Sequence, residues 1–220
     1  MKQLKSEQNL GQGRSIVVVG AGGHAKVVVE CLRLAGWNVV GCTDSDPSPR
    51  FCAGVPVIGN DDKLSKLFAE GVKHALCAIG DNHIREKMGD ELLALGFEVP
   101  AVCGPGAIIS PSVRIGSGAM ILPAAVVNAE TALGDFAIVN TNSSIDHDCT
   151  VGRAAHIGPG SVLAGSVHVE NRAFIATGCV VIPGRKVGPD TVVGAGSVVV
   201  DDLGGGVIAY GSPARVRRFV

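Results

Sequence analysis

The chain has 220 residues, of which 46% are hydrophobic but only 4% aromatic, and 31 are glycine. Its 19 basic and 20 acidic residues nearly balance, which excludes the broad basic surface of a nucleic-acid-binding protein. Seven cysteines without a CxxC pair favour neither a disulfide framework nor a zinc site. The polar segment 1–14 lacks the apolar core of a secretory signal, and no apolar run is long enough to cross a membrane. We therefore expect a cytoplasmic protein without membrane insertion and without a metal.

Residues 15–104 alternate short apolar segments with helical ones, which indicates an α/β domain with a small parallel sheet. The predicted strands are 15–20, 38–42, 55–58, 74–79 and 97–102. The predicted helices are 25–35, 61–69 and 82–95.

A glycine-rich loop, GAGGHA at residues 20–25, follows the first predicted strand and opens the first helix. This geometry presents backbone N–H groups and a positive helix end to a phosphate. The loop also fits the dinucleotide-binding fingerprint, with Asp44 placed 24 residues after Gly20 as a ribose acceptor. The domain has roughly ninety residues, half of that fold, and no second mononucleotide unit. A half-Rossmann-like domain that holds a nucleoside diphosphate is the better interpretation.

From residue 107 the pattern changes to sixteen consecutive hexads, residues 107–202, without an insertion. The third place of every hexad is Ile, Val or Leu, from Ile109 to Val199. A six-residue period with one inward aliphatic per repeat indicates a parallel β-helix, in which stacked coils bury a continuous aliphatic column. The predicted domains are thus a tail at 1–14, an α/β domain at 15–104 and a β-helix with a C-terminal tail at 105–220.

The segment NTNSSIDHD, residues 140–148, interrupts this apolar pattern. His147 stands there between Asp146 and Asp148. A carboxylate partner fixes the tautomer of a histidine and raises its basicity, as a general base requires. A solvated polar turn would have the same composition.

The hexads resemble those of the hexapeptide-repeat acyltransferases. The sequences GAGGHAKVV, AIGDNHIREKM, NTNSSIDHDCTVG and HIGPGSVLAGSV, in this order, are similar to the NeuD and PglD sugar acetyltransferases. This resemblance implies a left-handed β-helix with 18 residues per coil and a homotrimer that binds acetyl-CoA between neighbouring β-helices. With that coil length Ala129 and Gly165 flank His147, which would leave room for a ligand. A purely structural or ice-binding solenoid is the alternative for the repeat.

The resemblance also implies an activity. An acetyl-CoA-dependent N-acetyltransferase would acetylate a nucleotide-linked amino sugar, a 4-amino-4,6-dideoxyhexose on UDP or GDP, for surface polysaccharide or glycan synthesis. His147 would be the general base for direct transfer and Asp148 its partner, with Asp146 as a possible substitute. The alternative activities are O-acetylation of sialic acid or a related sugar and acetylation of serine or another small molecule. The alternative mechanism is a covalent route through Cys149, for which packing is the simpler interpretation.

Two sets of binding residues follow from the same resemblance. The residues implied for the nucleotide sugar are Gly22, Gly23, His24, Asp44, Gly80, Asn82 and Asn140. The residues implied for acetyl-CoA are His156, Gly165, Thr177, Ala195 and Arg215. Arg85 has two interpretations, a cation that neutralises a phosphate or an arginine on a helix surface.

Overall fold

The computed structural model describes residues 14–46, 48 and 50–220. Contacts divide the chain into two compact units, Met1–Gly104 and Pro105–Val220, hereafter the α/β unit and the β-helix unit. The predicted polar tail lies outside the described residues except for Arg14. No helix in the described part of the chain is both long and apolar enough to span a bilayer.

The α/β unit contains a five-stranded sheet in the order β3-β4-β2-β1-β5. Strands β1, β2, β4 and β5 pair in parallel, as predicted, and β3 adds an antiparallel edge that the sequence analysis missed. The strands of this sheet are β1 (Ser15–Val19), β2 (Asn38–Thr43), β3 (Phe51–Cys52), β4 (Val55–Gly59) and β5 (His74–Cys77), and a further short strand, β6 (Val102–Cys103), lies outside it. The helices are α1 (Gly23–Leu34), α2 (Lys63–Ala69) and α3 (Asn82–Ala94).

The predicted strand at 97–102 is wrong. Glu98 makes only an isolated parallel bridge to His74, and regular structure resumes at Val102. Pro100 has no N–H to donate to a ladder, so the pairing cannot extend. The apolar character of the segment reflects burial of Phe97, whose ring packs 5.0 Å from that of Phe68.

The β-helix unit is a left-handed parallel β-helix in which every hexad forms one two-residue strand at its second and third places. Partners such as Val127, Ile145 and Leu163 pair in parallel, which confirms 18 residues per coil. The strands are β7 (Ile108–Ile109), β8 (Arg114–Ile115), β9 (Met120–Ile121), β10 (Val126–Val127), β11 (Ala132–Leu133), β12 (Ile138–Val139), β13 (Ser144–Ile145), β14 (Thr150–Val151), β15 (His156–Ile157), β16 (Val162–Leu163), β17 (His168–Val169), β18 (Phe174–Ile175), β19 (Val180–Val181), β20 (Lys186–Val187), β21 (Val192–Val193) and β22 (Val198–Val199).

Three sheets form the faces of this prism. The first holds β7, β10, β13, β16, β19 and β22, and the second holds β8, β11, β14, β17 and β20. The third holds β9, β12, β15, β18 and β21, followed by the hairpin of β23 (Val207–Gly211) and β24 (Ala214–Phe219). The third-place aliphatics point inward and, from Ile121 to Val199, are buried, because each is covered by equivalent side chains one coil away.

The turns of the β-helix place the sixth residue of most hexads in the left-handed backbone region. Glycine occupies several of these places, but side chains such as Asn142 (φ 56°) and Asp148 (φ 58°) adopt the same conformation. Asn and Asp tolerate it better than other non-glycine residues. This local turn decides where the Asp148 carboxylate points.

Candidate active site

His147 occupies the fifth place of its hexad, just after β13, and its side chain is 58% exposed. Its Nδ1 lies 2.7 Å from Oδ2 of Asp148. The left-handed conformation of Asp148 turns that carboxylate back onto the neighbouring ring. A neutral imidazole in this pair donates its Nδ1–H to Asp148 and keeps a lone pair on Nε2.

Asp146 lies on the other side of the ring, with Oδ2 3.8 Å from Nε2 of His147. Its Oδ1 accepts a 3.0 Å hydrogen bond from Nδ2 of Asn128, which stands one coil earlier. The hydrogen bond to Asp148, followed by the charge of Asp146, raises the pKa of His147. The bond from Asn128 lowers the pKa of Asp146, so this carboxylate stays ionised at neutral pH.

Gly165 lies one coil after His147, as predicted, but the space above it is filled by the imidazole. A Cβ atom on Gly165 would lie 2.7 Å from Cε1 and from Nε2 of the ring. The missing side chain gives room to the histidine ring, and Gly165 also lines open space beside it, so room for a ligand at this glycine stays a prediction. The open space is an adjoining cavity of about 410 Å³, lined by Asp146, His147, Ala164, Gly165, Ser166, Pro183 and Gly184.

Cys149 points away from this cavity into the prism and is completely buried. Its thiol donates weakly to the carbonyl oxygens of Ala164 at 3.2 Å and His147 at 3.5 Å. Burial raises the pKa of the thiol, which disfavours the thiolate needed by a nucleophile. The packing role is the one that this geometry favours.

Three glycines of the α/β unit have no packing reason to be glycine. A Cβ atom on Gly22, Gly23 or Gly80 would meet nothing within 4 Å, and none of the three has a positive φ. All three are exposed and lie beyond the carboxyl ends of the neighbouring strands β1 and β5. Absent side chains at the end of parallel strands allow a ligand to approach the backbone closely.

Asp44 organises the same loop. Its Oδ2 accepts the Ala21 N–H at 2.6 Å and its Oδ1 accepts the Asp46 N–H at 3.0 Å. The carboxylate thus joins the end of β2 to the turn between β1 and α1. Each oxygen retains a lone pair for a further donor.

Arg85 is completely buried, so the interpretation as a surface arginine is wrong, and a phosphate that it neutralises would have to lie beyond direct contact with the guanidinium. Its guanidinium donates to the carbonyl oxygens of Ile79 and Gly80, each at 3.0 Å, and to Oδ1 of Asn82 at 2.7 Å. Burial lowers its pKa to about 10, so it stays charged at neutral pH. Arg85 shapes the loop after β5 from beneath, a role that no sequence signal indicated.

His24 opens α1 near this buried cation, and its Nε2 is buried. Burial and then the charge of Arg85 lower the pKa of His24 to about 4. The imidazole is therefore neutral at pH 7. Any contribution of His24 to ligand binding is a hydrogen bond or a packing contact rather than a charge.

Two of the remaining predicted residues are neighbours in the β-helix unit. Asn140 and His156, assigned to different ligands, lie together, with Nδ2 of Asn140 2.9 Å from Nε2 of His156. His156 is only 8% exposed, and its ring packs on Phe174.

Thr177 and Ala195 are exposed and lie at another edge of the prism, after β18 and β21, away from the edge of His147. Arg215 of the C-terminal hairpin pairs with Asp201 at 2.9 Å. Within the described residues, no group of three or more His, Cys, Asp or Glu side chains is arranged to hold a metal ion.

Asn128 was not among the predicted site residues, although the sequence contains a signal for it. The 18-residue step that places Gly165 beside His147 also places Asn128 beside Asp146. The bond between them is thus a consequence of the coil length.

The two units match two families in succession. Residues 15–92 match the PglD N-terminal domain, and residues 97–193 match the GMPPB C-terminal domain. Together these matches cover both the glycine-rich loop and the hexads around His147.

Solved and curated proteins resemble between about two thirds and nearly all of the chain. The crystal structure of PerB from Caulobacter crescentus in complex with CoA and GDP-perosamine is 45% identical, covers 94% of this chain and 98% of its own, and gives a TM-score of 0.89. GDP-perosamine N-acetyltransferase of Escherichia coli O157:H7 is 31% identical over 65% of this chain and 67% of its own length. A 2,3,4,5-tetrahydropyridine-2,6-dicarboxylate N-acetyltransferase of Clostridium perfringens (strain SM101 / Type A) is 37% identical over 74% and 72%, respectively.

The agreement over both units with PerB confirms the resemblance stated from the sequence and excludes the structural-solenoid alternative for the repeat. The chain belongs to the NeuD/PglD family of hexapeptide-repeat sugar acetyltransferases.

Proposed function

We propose that this enzyme transfers the acetyl group of acetyl-CoA to the amine of a nucleotide-linked amino-deoxy sugar, a 4-amino-4,6-dideoxyhexose carried by GDP or UDP. The observation that carries this proposal is the 2.7 Å pair of His147 and Asp148 beside an open cavity. PerB, similar over nearly its whole length, binds CoA and GDP-perosamine, which favours GDP and this sugar class.

His147 acts as the general base in a direct transfer. The sugar nitrogen attacks the thioester carbonyl carbon, a C–N bond forms, and the nitrogen gives one proton to Nε2. The tetrahedral intermediate then collapses: the C–S bond breaks, the sulfur leaves with the bonding electron pair, and the imidazolium returns the proton to it. The products are the N-acetylated sugar and the free CoA thiol. Asp148 holds the ring and stabilises its protonated form.

The nucleotide end of the substrate is held by the α/β unit. The diphosphate lies against the backbone at Gly22 and Gly23, where the N-terminus of α1 favours an anion. Gly80 gives a second point of close approach, and Arg85 supports its carbonyl from below. The absence of side chains at these positions supports this placement.

Acetyl-CoA lies between copies of the chain. Gly165 and Thr177 belong to different edges of the prism, so a cosubstrate that touches both edges needs two protomers. The need for two protomers supports a homotrimer with three grooves, in which His156, Ala195 and Arg215 complete the acetyl-CoA set. A cytoplasmic location and a role in surface polysaccharide or glycan synthesis stay predictions.

Thiol release from acetyl-CoA tests the proposal. We expect release with GDP-perosamine or a UDP-linked 4-amino sugar, and none with free sialic acid or tetrahydropyridine dicarboxylate. The last acceptor is included because of the similar Clostridium perfringens enzyme, and thiol release with it alone would replace the proposed substrate.

The variant His147→Ala should lower kcat by about 10²- to 10⁴-fold, the usual contribution of general base catalysis, while both substrates still bind. His168→Ala is the matched control, since His168 is an exposed histidine on another face of the prism. Near-normal turnover of His147→Ala would dismiss the base assignment.

A further inference from the structure

Two hydrogen-bond acceptors face the same region of the cavity. Nε2 of His147 and Oδ2 of Asp146 are 3.8 Å apart. Nε2 is an acceptor in the neutral ring because the Nδ1–H is given to Asp148, and an ionised carboxylate is always an acceptor. A donor nitrogen lies about 2.7–3.2 Å from each acceptor it serves, so one nitrogen reaches both atoms.

The position of Asp146 is fixed by the coil below. Asn128 occupies Oδ1 of Asp146 at 3.0 Å, which leaves Oδ2 on the side of His147. One coil above, the equivalent place is Ala164, whose small side chain lines the cavity together with Asp146. The carboxylate is therefore held from one side and open to a ligand on the other.

Asp146 and Asp148 differ in what they can do. Asp148 is bonded to Nδ1, the nitrogen away from the reaction, whereas Asp146 stands on the side of Nε2, the nitrogen that takes the proton. An amine has two N–H groups, and its ammonium form has three, so it can donate to Nε2 and to Oδ2 at once. A hydroxyl has one proton; once this is given to Nε2, only its lone pairs face the carboxylate.

We propose that Asp146 binds the acceptor amine together with His147 and thereby selects nitrogen over oxygen as the acetyl acceptor. This inference rests on the proposed acetyl transfer at His147 and deepens it. It assigns Asp146 a contact with the substrate, distinct from the orienting role of Asp148.

Binding without turnover tests the selection. Dissociation constants are measured by calorimetry at pH 7, without acetyl-CoA, for GDP-perosamine and for the same GDP-sugar with a hydroxyl in place of the amine. Asp146→Asn keeps the shape of the side chain and removes its charge. We expect binding of the amino sugar to weaken by about tenfold or more, the range of a charged hydrogen bond, and binding of the hydroxyl sugar to change less than about threefold.

Glu170→Gln is the matched control, since Glu170 occupies the same fourth place on another face of the prism and is comparably exposed. It should alter neither constant. Asn128→Ala should shift the ratio of the two constants in the same direction as Asp146→Asn, by less, because the carboxylate is freed but not removed. Asp146→Ala is a second variant in case the asparagine amide forms a bond of its own.

If Asp146 acts only by raising the pKa of His147 and does not touch the substrate, we expect a different result. The pH profile of kcat would then move while the ratio of the two dissociation constants stayed at the wild-type value. That result, or equal weakening of both sugars, would overturn the selection. Thiol release by the wild-type enzyme tests the proposed function separately. If the wild-type enzyme releases the thiol but Asp146→Asn leaves the ratio of the two dissociation constants unchanged, only the role of Asp146 is rejected. If the wild-type enzyme binds neither sugar, the proposed function and the role of Asp146 are both rejected.

Discussion

The imidazole of His147 rests on the backbone of Gly165: a Cβ atom on that glycine would lie 2.7 Å from both Cε1 and Nε2 of the ring. Gly165 does not have a positive φ, so its backbone conformation does not require glycine. What requires glycine is the ring one coil away. The 18-residue coil thus sets the position of Nε2 of His147, the nitrogen that we propose as the general base.

Gly165→Ala should therefore displace the ring and leave the fold intact, because the exposed end of a side chain moves more easily than a coil of the prism. We expect kcat to fall by roughly ten- to a hundredfold, since a displacement of about 1 Å at a reacting group costs up to that factor. The melting temperature should change little. Steady-state kinetics and thermal unfolding measure the two quantities.

Gly204→Ala is the control for that substitution. A Cβ atom on Gly204 would meet nothing within 4 Å and its φ is not positive, so both quantities should stay at wild-type values. A fully active Gly165→Ala enzyme would mean that the ring is not held where catalysis needs it.

Asp148→Asn should change the pH dependence of turnover. The hydrogen bond to Asp148 is the largest cause of the raised pKa of His147, and a general base works only when unprotonated. Loss of the carboxylate lowers this pKa, so the acidic limb of the kcat profile should move to lower pH. The plateau should fall by about tenfold or more, because the ring loses its anionic partner.

Asparagine is suitable for this test because it accepts the left-handed conformation of residue 148 as well as aspartate does. The same substrate is used for both enzymes, so titration of the amine itself cancels. An acidic limb that moves to higher pH would contradict the assignment of His147 as the titrating group.

The β-helix was predictable almost residue by residue, whereas the α/β unit was predictable only in outline. One aliphatic per six residues fixes the strand positions because no other spacing buries the column. In the α/β unit, β3 is a two-residue edge strand, too short for a periodic signal. The predicted strand at 97–102 failed because Pro100 ends the pairing that its apolar neighbours suggest.

The candidate site was predictable where the 18-residue repeat determines which residues are neighbours on successive coils. The coil length placed Gly165 next to His147. The coil length did not decide whether Asp146 or Asp148 is hydrogen-bonded to His147, because the direction of the Asp148 carboxylate depends on the left-handed turn at residue 148. Burial of Arg85 was not predictable, since an arginine in the first turn of a helix is usually exposed.

Cys149→Ala should leave kcat within about twofold of the wild-type value. The thiol is buried and bonded to carbonyl oxygens, so its removal should cost roughly 1 kcal/mol of stability and no catalytic step. Mass spectrometry of the wild-type enzyme with acetyl-CoA should show no acetylated cysteine. Loss of turnover with a normal melting curve would instead revive the covalent route.

His24 should make the α/β unit less stable in mild acid. Its folded-state pKa is about 4 against 6.5 for the ordinary side chain, so the folded state binds fewer protons than the unfolded state between these values. Stability contributed in this way is complete above pH 6.5 and is lost as the pH falls to 4, by about 3 kcal/mol in total. His24→Asn should flatten this part of the pH dependence, whereas His83→Asn, which removes an exposed histidine of α3, should keep it.

Trp37, the single tryptophan of the chain, reports unfolding of the α/β unit because it is buried there. The centroids of the Trp37 and His74 rings are 5.0 Å apart, so the fluorescence intensity of Trp37 also depends on this neighbour. The measured quantity is therefore the midpoint of denaturation and not the fluorescence intensity. Arg85→Met tests how much of this pH dependence comes from the charge of Arg85. Burial is the larger reason for the low pKa of His24 and the charge of Arg85 the smaller one. The variant should therefore be less stable overall, with a pH dependence reduced but still present; a pH dependence that vanished would assign the effect to the charge of Arg85 alone.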